Sequence, residues 1–316
     1  GIYVKKYGME EKRQELRDSI IEDLRGFIDL LSEYVLEAIA KYDERKRRYI
    51  YRKEKEDLIV RLKELEKKGY RPSPEQLARE MSYILMNKII FYKVLEQYYK
   101  MEKLKPLFRE EIVRTKEAYL EKLREYFLKA VEVTGDFEPV FITGIYDQID
   151  FPDDPEVLKL IDWLIGYIEL FKIENLTDII GYIYQDLIPA EERHNLGQFY
   201  TPQPIAELIT KWAIRSSSDV ILDPGCGSGT FVIETYKRLV ERKLFRKISE
   251  VSYIKEGIHK SILNQIYAID INEFPAHLTT INLAMLNPRV PSANMNIIVQ
   301  DFFSVIPKQD ILAPYK

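Results

Sequence analysis

Ile221-Leu222-Asp223-Pro224-Gly225-Cys226-Gly227-Ser228-Gly229-Thr230-Phe231 decides the fold. An apolar strand over Val220 to Leu222, a loop with three glycines in five positions and a helix starting near Thr230 make a strand-turn-helix unit. A doubly wound α/β sheet presents a ligand with such a unit. Without a Cβ, the glycines let the backbone turn sharply and approach a bound molecule closely. A phosphate-cradling loop would need a Lys after the glycines, and a dinucleotide fingerprint would need a glycine where Thr230 stands. Asp223 at the strand end repels a pyrophosphate and suits a ligand carrying a positive amino group.

Downstream, Ile266 to Asn272 reads as a second buried strand ending in Asp270. A carboxylate at that position can accept both hydroxyls of a ribose, although it can equally cap the helix expected from Pro275 to Asn287. The charged stretch after Lys243 reads as irregular and as an insertion. Asn296 to Phe303 reads as a third strand ending in Asp301-Phe302, where the acid can accept from an exocyclic amine and the ring can pack on a base. Upstream, Gly197-Gln198-Phe199-Tyr200-Thr201-Pro202 fixes a loop, with Thr201 the expected N-cap of a helix through Ile205, Leu208, Ile209 and Trp212.

Asp223-Pro224-Gly225-Cys226-Gly227-Ser228-Gly229-Thr230-Phe231 resembles motif I of the S-adenosylmethionine-dependent methyltransferases that act on amino groups of DNA bases. Gly197 to Pro202 resembles their motif X, and the stretches ending at Asp270 and Asp301 resemble motifs II and III. Motif X ahead of motif I is the order called gamma among N6-adenine DNA methyltransferases of restriction-modification systems. The resemblance implies a Rossmann-like α/β sheet and S-adenosylmethionine as cofactor. The residues it implies for binding are Phe199, Tyr200, Thr201, Asp223, Gly225, Gly227, Asp270, Ile271, Asp301 and Phe302. It further implies double-stranded DNA as substrate and a specificity or nuclease subunit or domain as partner. The family's catalytic Asn-Pro-Pro-Tyr occurs nowhere in the sequence. Ala313-Pro314-Tyr315 lacks the Asn and one Pro, so the motif is expected beyond residue 316, with this chain binding cofactor at most. Two alternatives stand beside this reading. One is a methyltransferase for protein, RNA or small molecules; the other is a non-catalytic DNA- or subunit-binding protein on a degenerate methyltransferase fold.

The rest of the chain is expected to be helical: a bundle over 1–136, a helical bridge over 137–196, and the first half of the methyltransferase α/β domain over 197–316. Leu16, Ile20, Leu24, Phe27, Leu31, Val35 and Ile39 recur at helical spacing in a first long helix. A second helix is expected over 43–68, and a third from Ser73-Pro74-Glu75-Gln76 to about Tyr99. A fourth is expected from Pro106 to about Glu132. In the bridge, helices are expected after Asp154-Pro155 and over Asn175 to Leu187.

Residues 1–130 hold 31 Lys and Arg against 25 Asp and Glu, a net of +6, and the remainder holds 16 against 26, a net of −10. This asymmetry can mark a nucleic-acid-facing segment or a set of solvated helix faces. Arg45, Arg47, Arg48, Arg52 and Lys53, interleaved with tyrosines, are the candidate DNA contacts. A single cysteine and three histidines form no zinc pattern, and no apolar run approaches a membrane span, so a metal-free cytoplasmic protein is expected.

Overall fold

In a computed structural model, the structure describes residues 2–171, 201–246, 248–251, 253–291 and 295–305. The expected helix over 175–187, Phe199-Tyr200 and Ala313-Pro314-Tyr315 lie outside the described residues.

Helix α1 (Ile2–Ile39) buries the expected stripe from Ile20 to Ile39, while Leu16 is exposed. The expected second helix over 43–68 is instead a β-hairpin followed by a shorter helix. Strands β1 (Ala40–Asp43) and β2 (Arg48–Tyr51) pair antiparallel with Tyr42 opposite Tyr49, and α2 (Glu56–Glu66) follows. Asp43 explains the break: its carboxylate accepts from Arg45 N at 3.0 Å and Lys46 N at 3.2 Å, offering the backbone a turn instead of a helix.

α3 (Pro74–Leu95) starts as its sequence signal requires, with Ser73 Oγ accepting from Gln76 N at 3.1 Å. Nearly every α3 residue from Leu77 to Leu95 is buried, so this helix is the axis of the bundle. Its buried lysines are paired: Lys93 with Glu96 and Glu169 at 2.7 and 2.6 Å, and Lys88 with Asp147. α4 (Lys116–Thr134) begins ten residues later than expected and is capped by Thr115. The segment before it is held otherwise, with Phe108 N and Arg109 N donating to the buried Asp162 at 3.2 and 2.9 Å. Ile112, an apolar residue inside the span expected to be helical, is exposed with a left-handed φ of 58°. α5 (Glu138–Phe141), a 3-10 turn (Gly144–Gln148) and α6 (Pro155–Glu169) follow, the last capped by Asp154.

The second layer is α7 (Gln203–Ala213), β3 (Ile221–Asp223), α8 (Thr230–Leu244), α9 (Glu256–Leu263), β4 (Ile266–Asp270), α10 (Glu273–Met285) and β5 (Asn296–Val299). The three strands form a parallel sheet in the order β3-β4-β5. α7 is capped by Pro202 rather than by Thr201, and no side-chain bond closes that cap. Part of the stretch expected to be irregular after Lys243 is α9, because His259, Ile262 and Leu263 turn into the core.

α10 joins the two layers, with every residue from Phe274 to Met285 buried. Phe274, Leu278 and Ile281 belong to the core of the bundle, which runs unbroken from Ile20 to Ile168 and so takes in Phe137 to Phe151. Leu283 belongs to a second core with Cys226, Val232, Ile262 and Ala268.

Beside this joint, Glu80 is enclosed between Tyr70, Tyr146 at 3.1 Å and the Gln76 amide at 2.9 Å, all three donating to its carboxylate. Burial is the largest influence and pushes the carboxyl up to about 7; the three donors pull it down, and the charge of Glu273 pushes it further up. Between its ordinary 4.5 and about 7 the unfolded chain has lost a proton that the folded chain keeps. Stability therefore falls as pH rises through that window and levels off above it. Glu80→Gln removes the dependence, so relative to the parent it should gain about 3 kcal/mol between pH 4.5 and pH 8, a tenfold change in proton affinity being worth ~1.36 kcal/mol. Denaturant midpoints of both proteins at the two pH values measure this, and parallel pH profiles would refute it.

Candidate functional site at the strand ends

The carboxyl ends of the three parallel strands carry one acid each. Asp223 ends β3, Asp270 ends β4 opposite Val299, and Asp301 follows β5 by two residues. The crevice outside such strand ends is where open α/β sheets bind ligands.

Asp223 is half-buried and uses only one of its oxygens. Oδ1 accepts from Gly225 N at 3.2 Å, while Oδ2 is buried with no partner among the described residues. Burial raises its pKa above the usual carboxylate value; the Gly225 N–H opposes the shift and the charge of Asp270 adds to it. An orphaned anionic oxygen beside a second carboxylate is a site for a cationic donor.

The glycine loop is fixed rather than loose. Gly227 and Gly229 have φ of 53° and 89°, in the left-handed region that side chains avoid, whereas Gly225 does not. Cys226 N donates to Ile269 O at 2.9 Å, and Gly229 N closes the turn on Cys226 O at 2.8 Å. Cys226 itself faces the core, and burial pushes its thiol up to about 12, so it is no nucleophile.

Asp270 has a structural task of its own. Oδ2 accepts from Gly227 N at 2.9 Å and Oδ1 from Asn272 N at 2.9 Å, so the acid ties the glycine loop to the turn after β4. Each oxygen keeps a second acceptor site, which leaves capacity for hydroxyl donors. The cap of α10 is Asn272 and not Asp270. The next residue, Ile271, is exposed at 45%, and its Cδ1 lies 3.8 Å from where a Cβ at Gly69 would stand. Asp301 caps a 3-10 turn (Phe302–Ser304) by accepting from Phe303 N at 3.0 Å, and Phe302 meets Phe303 edge-to-face at 5.5 Å. The structure thus brings Asp223, Gly225, Gly227 and Asp270 together around one loop. Thr201 is half-buried ahead of α7.

Two residues that pattern reading passed over also touch the loop. Thr279 Oγ1 donates to Gly227 O at 2.8 Å, and Asn282 Nδ2 donates to Ser228 O at 2.8 Å. Their signal was present: polar residues in a helix as apolar as α10 must find partners in the core.

The basic cluster divides. Arg45, Arg47 and Arg48 stand exposed at the hairpin turn, beside an edge-to-face pair of Tyr42 and Tyr49 at 5.4 Å. Arg52 is instead bound to the hairpin's base, its Nε donating to Glu37 O and Ala40 O at 2.9 and 3.1 Å. Lys53 is exposed next to it. Among the described residues no helix is long and apolar enough to cross a membrane, and no group of three His, Cys, Asp or Glu could hold a metal ion.

Residues 174–310 match the N-6 DNA methylase family. A 152-residue stretch is 30% identical to the type I restriction enzyme MpnII methylase subunit of Mycoplasma pneumoniae, covering 46% of this chain and 24% of that protein. The MjaVII methylase subunit of Methanocaldococcus jannaschii is 26% identical over 283 residues, 76% of this chain and 46% of that one. The chain therefore spans between about a quarter and about half of the length of these curated relatives. The DNA complex of the type IIL restriction-modification enzyme MmeI overlays at a TM-score of 0.45 with 15% identity, over 79% of this chain and 40% of that one.

Proposed function

We propose, from the N-6 DNA methylase domain over residues 174–310, that this chain is the cofactor-binding part of an S-adenosylmethionine-dependent adenine-N6 DNA methyltransferase of a restriction-modification system. The observation that carries the reading is the buried Oδ2 of Asp223 at the start of a glycine loop, which has no partner among the described residues. The ammonium group of S-adenosylmethionine supplies the positively charged donor that this oxygen lacks among the described residues. The parallel sheet is then the first half of a Rossmann-like fold.

In this reading Phe199, Tyr200 and Thr201 border the methionine end, and Gly225 and Gly227 let the backbone close on it. Asp270 accepts the ribose hydroxyls with the lone pairs that Gly227 and Asn272 leave open. Ile271 and Phe302 pack on the adenine faces, and Asp301 accepts from its amine. The bound cofactor supplies a methyl group on a sulfonium. The family's reaction passes that group to an adenine swung out of the duplex, whose amine must be held in line. The 316 residues contain no Asn-Pro-Pro-Tyr to hold it, so that task falls to residues outside them. The hairpin is the proposed DNA contact. Arg45, Arg47, Arg48 and Lys53 meet phosphates, and Arg52 braces the hairpin from behind. Double-stranded DNA and a specificity or nuclease subunit are the proposed partners, in the cytoplasm.

Calorimetric titration with S-adenosylmethionine should show one site that S-adenosylhomocysteine competes for. Labelled methyl transfer to adenine-containing duplex by this chain alone should stay at background. Absence of binding would overturn the cofactor reading in favour of a degenerate fold, and methyl transfer would overturn the assignment of the amine-holding groups.

A further inference from the structure

We propose that Thr279 and Asn282 on α10 are positioning residues of the glycine loop, setting its affinity for the amino-acid end of the cofactor. The inference rests on the S-adenosylmethionine reading above.

The two side chains hold consecutive carbonyls, Gly227 O and Ser228 O, each at 2.8 Å. In a trans peptide the N–H points opposite to the C=O. Fixing these carbonyls toward α10 therefore turns the N–H groups of Ser228 and Gly229 away from it. The Gly229 N–H is taken up by Cys226 O at 2.8 Å, which leaves the Ser228 N–H directed off the loop as a donor for an anionic group. From the other side, Gly227 N is held by Asp270 at 2.9 Å. The orientation of the loop is thus set from one turn of α10 and one acid of β4.

Close packing enforces the same geometry. A Cβ added at Gly229 would lie 2.9 Å from Thr279 Oγ1 and 3.2 Å from Thr279 Cα, so the α10 backbone itself abuts the loop. Asn282 is 3% exposed, and its Oδ1 is buried without a partner among the described residues. A core amide left half-satisfied is unfavourable. The bond to Ser228 O is what the structure gains from having an amide there. The bundle reaches the loop through these residues, because Phe274 on the same helix packs against Tyr83 and Tyr146.

The test uses the full chain with two ligands: S-adenosylhomocysteine, which carries the amino-acid end, and 5′-methylthioadenosine, which lacks it. Thr279→Val keeps the shape and removes the donor; Asn282→Asp replaces a donor with an acceptor facing a carbonyl. Each should weaken S-adenosylhomocysteine about 10-fold, the range of one lost buried hydrogen bond, while 5′-methylthioadenosine stays within about twofold. Thr279→Ser, which retains the hydroxyl, should bind both ligands like the parent. Thermal melts check that each variant folds, and Asn282→Asp carries the test if Thr279→Val does not. Unchanged S-adenosylhomocysteine affinity in the folded variants would overturn the inference, as would equal losses for both ligands. A parent chain that binds neither ligand would instead remove the cofactor reading, and this inference with it.

Discussion

Asp223→Asn is expected to weaken S-adenosylmethionine binding by about 10- to 100-fold, the value of a charge-assisted hydrogen bond of ~1.5–3 kcal/mol. The substitution isolates charge from shape. An Asn oxygen can still accept from Gly225 N, at 3.2 Å the one bond the Asp223 side chain makes among the described residues, so the turn into the loop is kept. What disappears is the negative charge behind Oδ2, which has no partner among the described residues. Calorimetry on parent and variant measures the loss. An affinity within twofold of the parent would mean that the ammonium binds elsewhere and that Asp223 serves only to shape the turn.

Phe274→Ala should destabilise the protein by about 3–5 kcal/mol, the range for emptying a fully buried aromatic site. Phe274 is 0% exposed, with ring centroids 6.0 Å from Tyr83 on α3 and 6.3 Å from Tyr146 on the 3-10 turn. Those two partners belong to the bundle and Phe274 to the helix that follows Asp270, so the cavity opens at the joint between layers. The change is large against the ~5–15 kcal/mol that holds a typical domain folded. Urea denaturation would report it as a lowered midpoint. A loss below about 1 kcal/mol would show that the joint repacks and that this ring does not fix the bundle to the sheet.

The strand ends were legible because their signals are local: a short apolar run, an acid, and then glycines or a turn. The same holds for the Ser73 cap and the stripe of α1, where neighbours in sequence are neighbours in space. The hairpin was not legible, since Lys, Arg and Glu are as frequent in helices as on exposed ribbons, and the bonds of Asp43 to Arg45 and Lys46 decide between them. Ile112 misled for a related reason, an apolar residue on an outward, left-handed backbone. Thr279 and Asn282 escaped notice because the carbonyls they bind are 52 and 54 residues away, a separation that no pattern of spacing encodes.

Because α10 is enclosed on its whole circumference, bundle and sheet cannot be parted along a chain boundary. A truncation that begins at α7 would keep the strands and the glycine loop but bring Phe274, Leu278, Ile281 and Met285 to the surface as one continuous apolar strip. Such a strip drives self-association. A minimal soluble piece therefore needs the helices that wrap α10, or polar replacements along that strip.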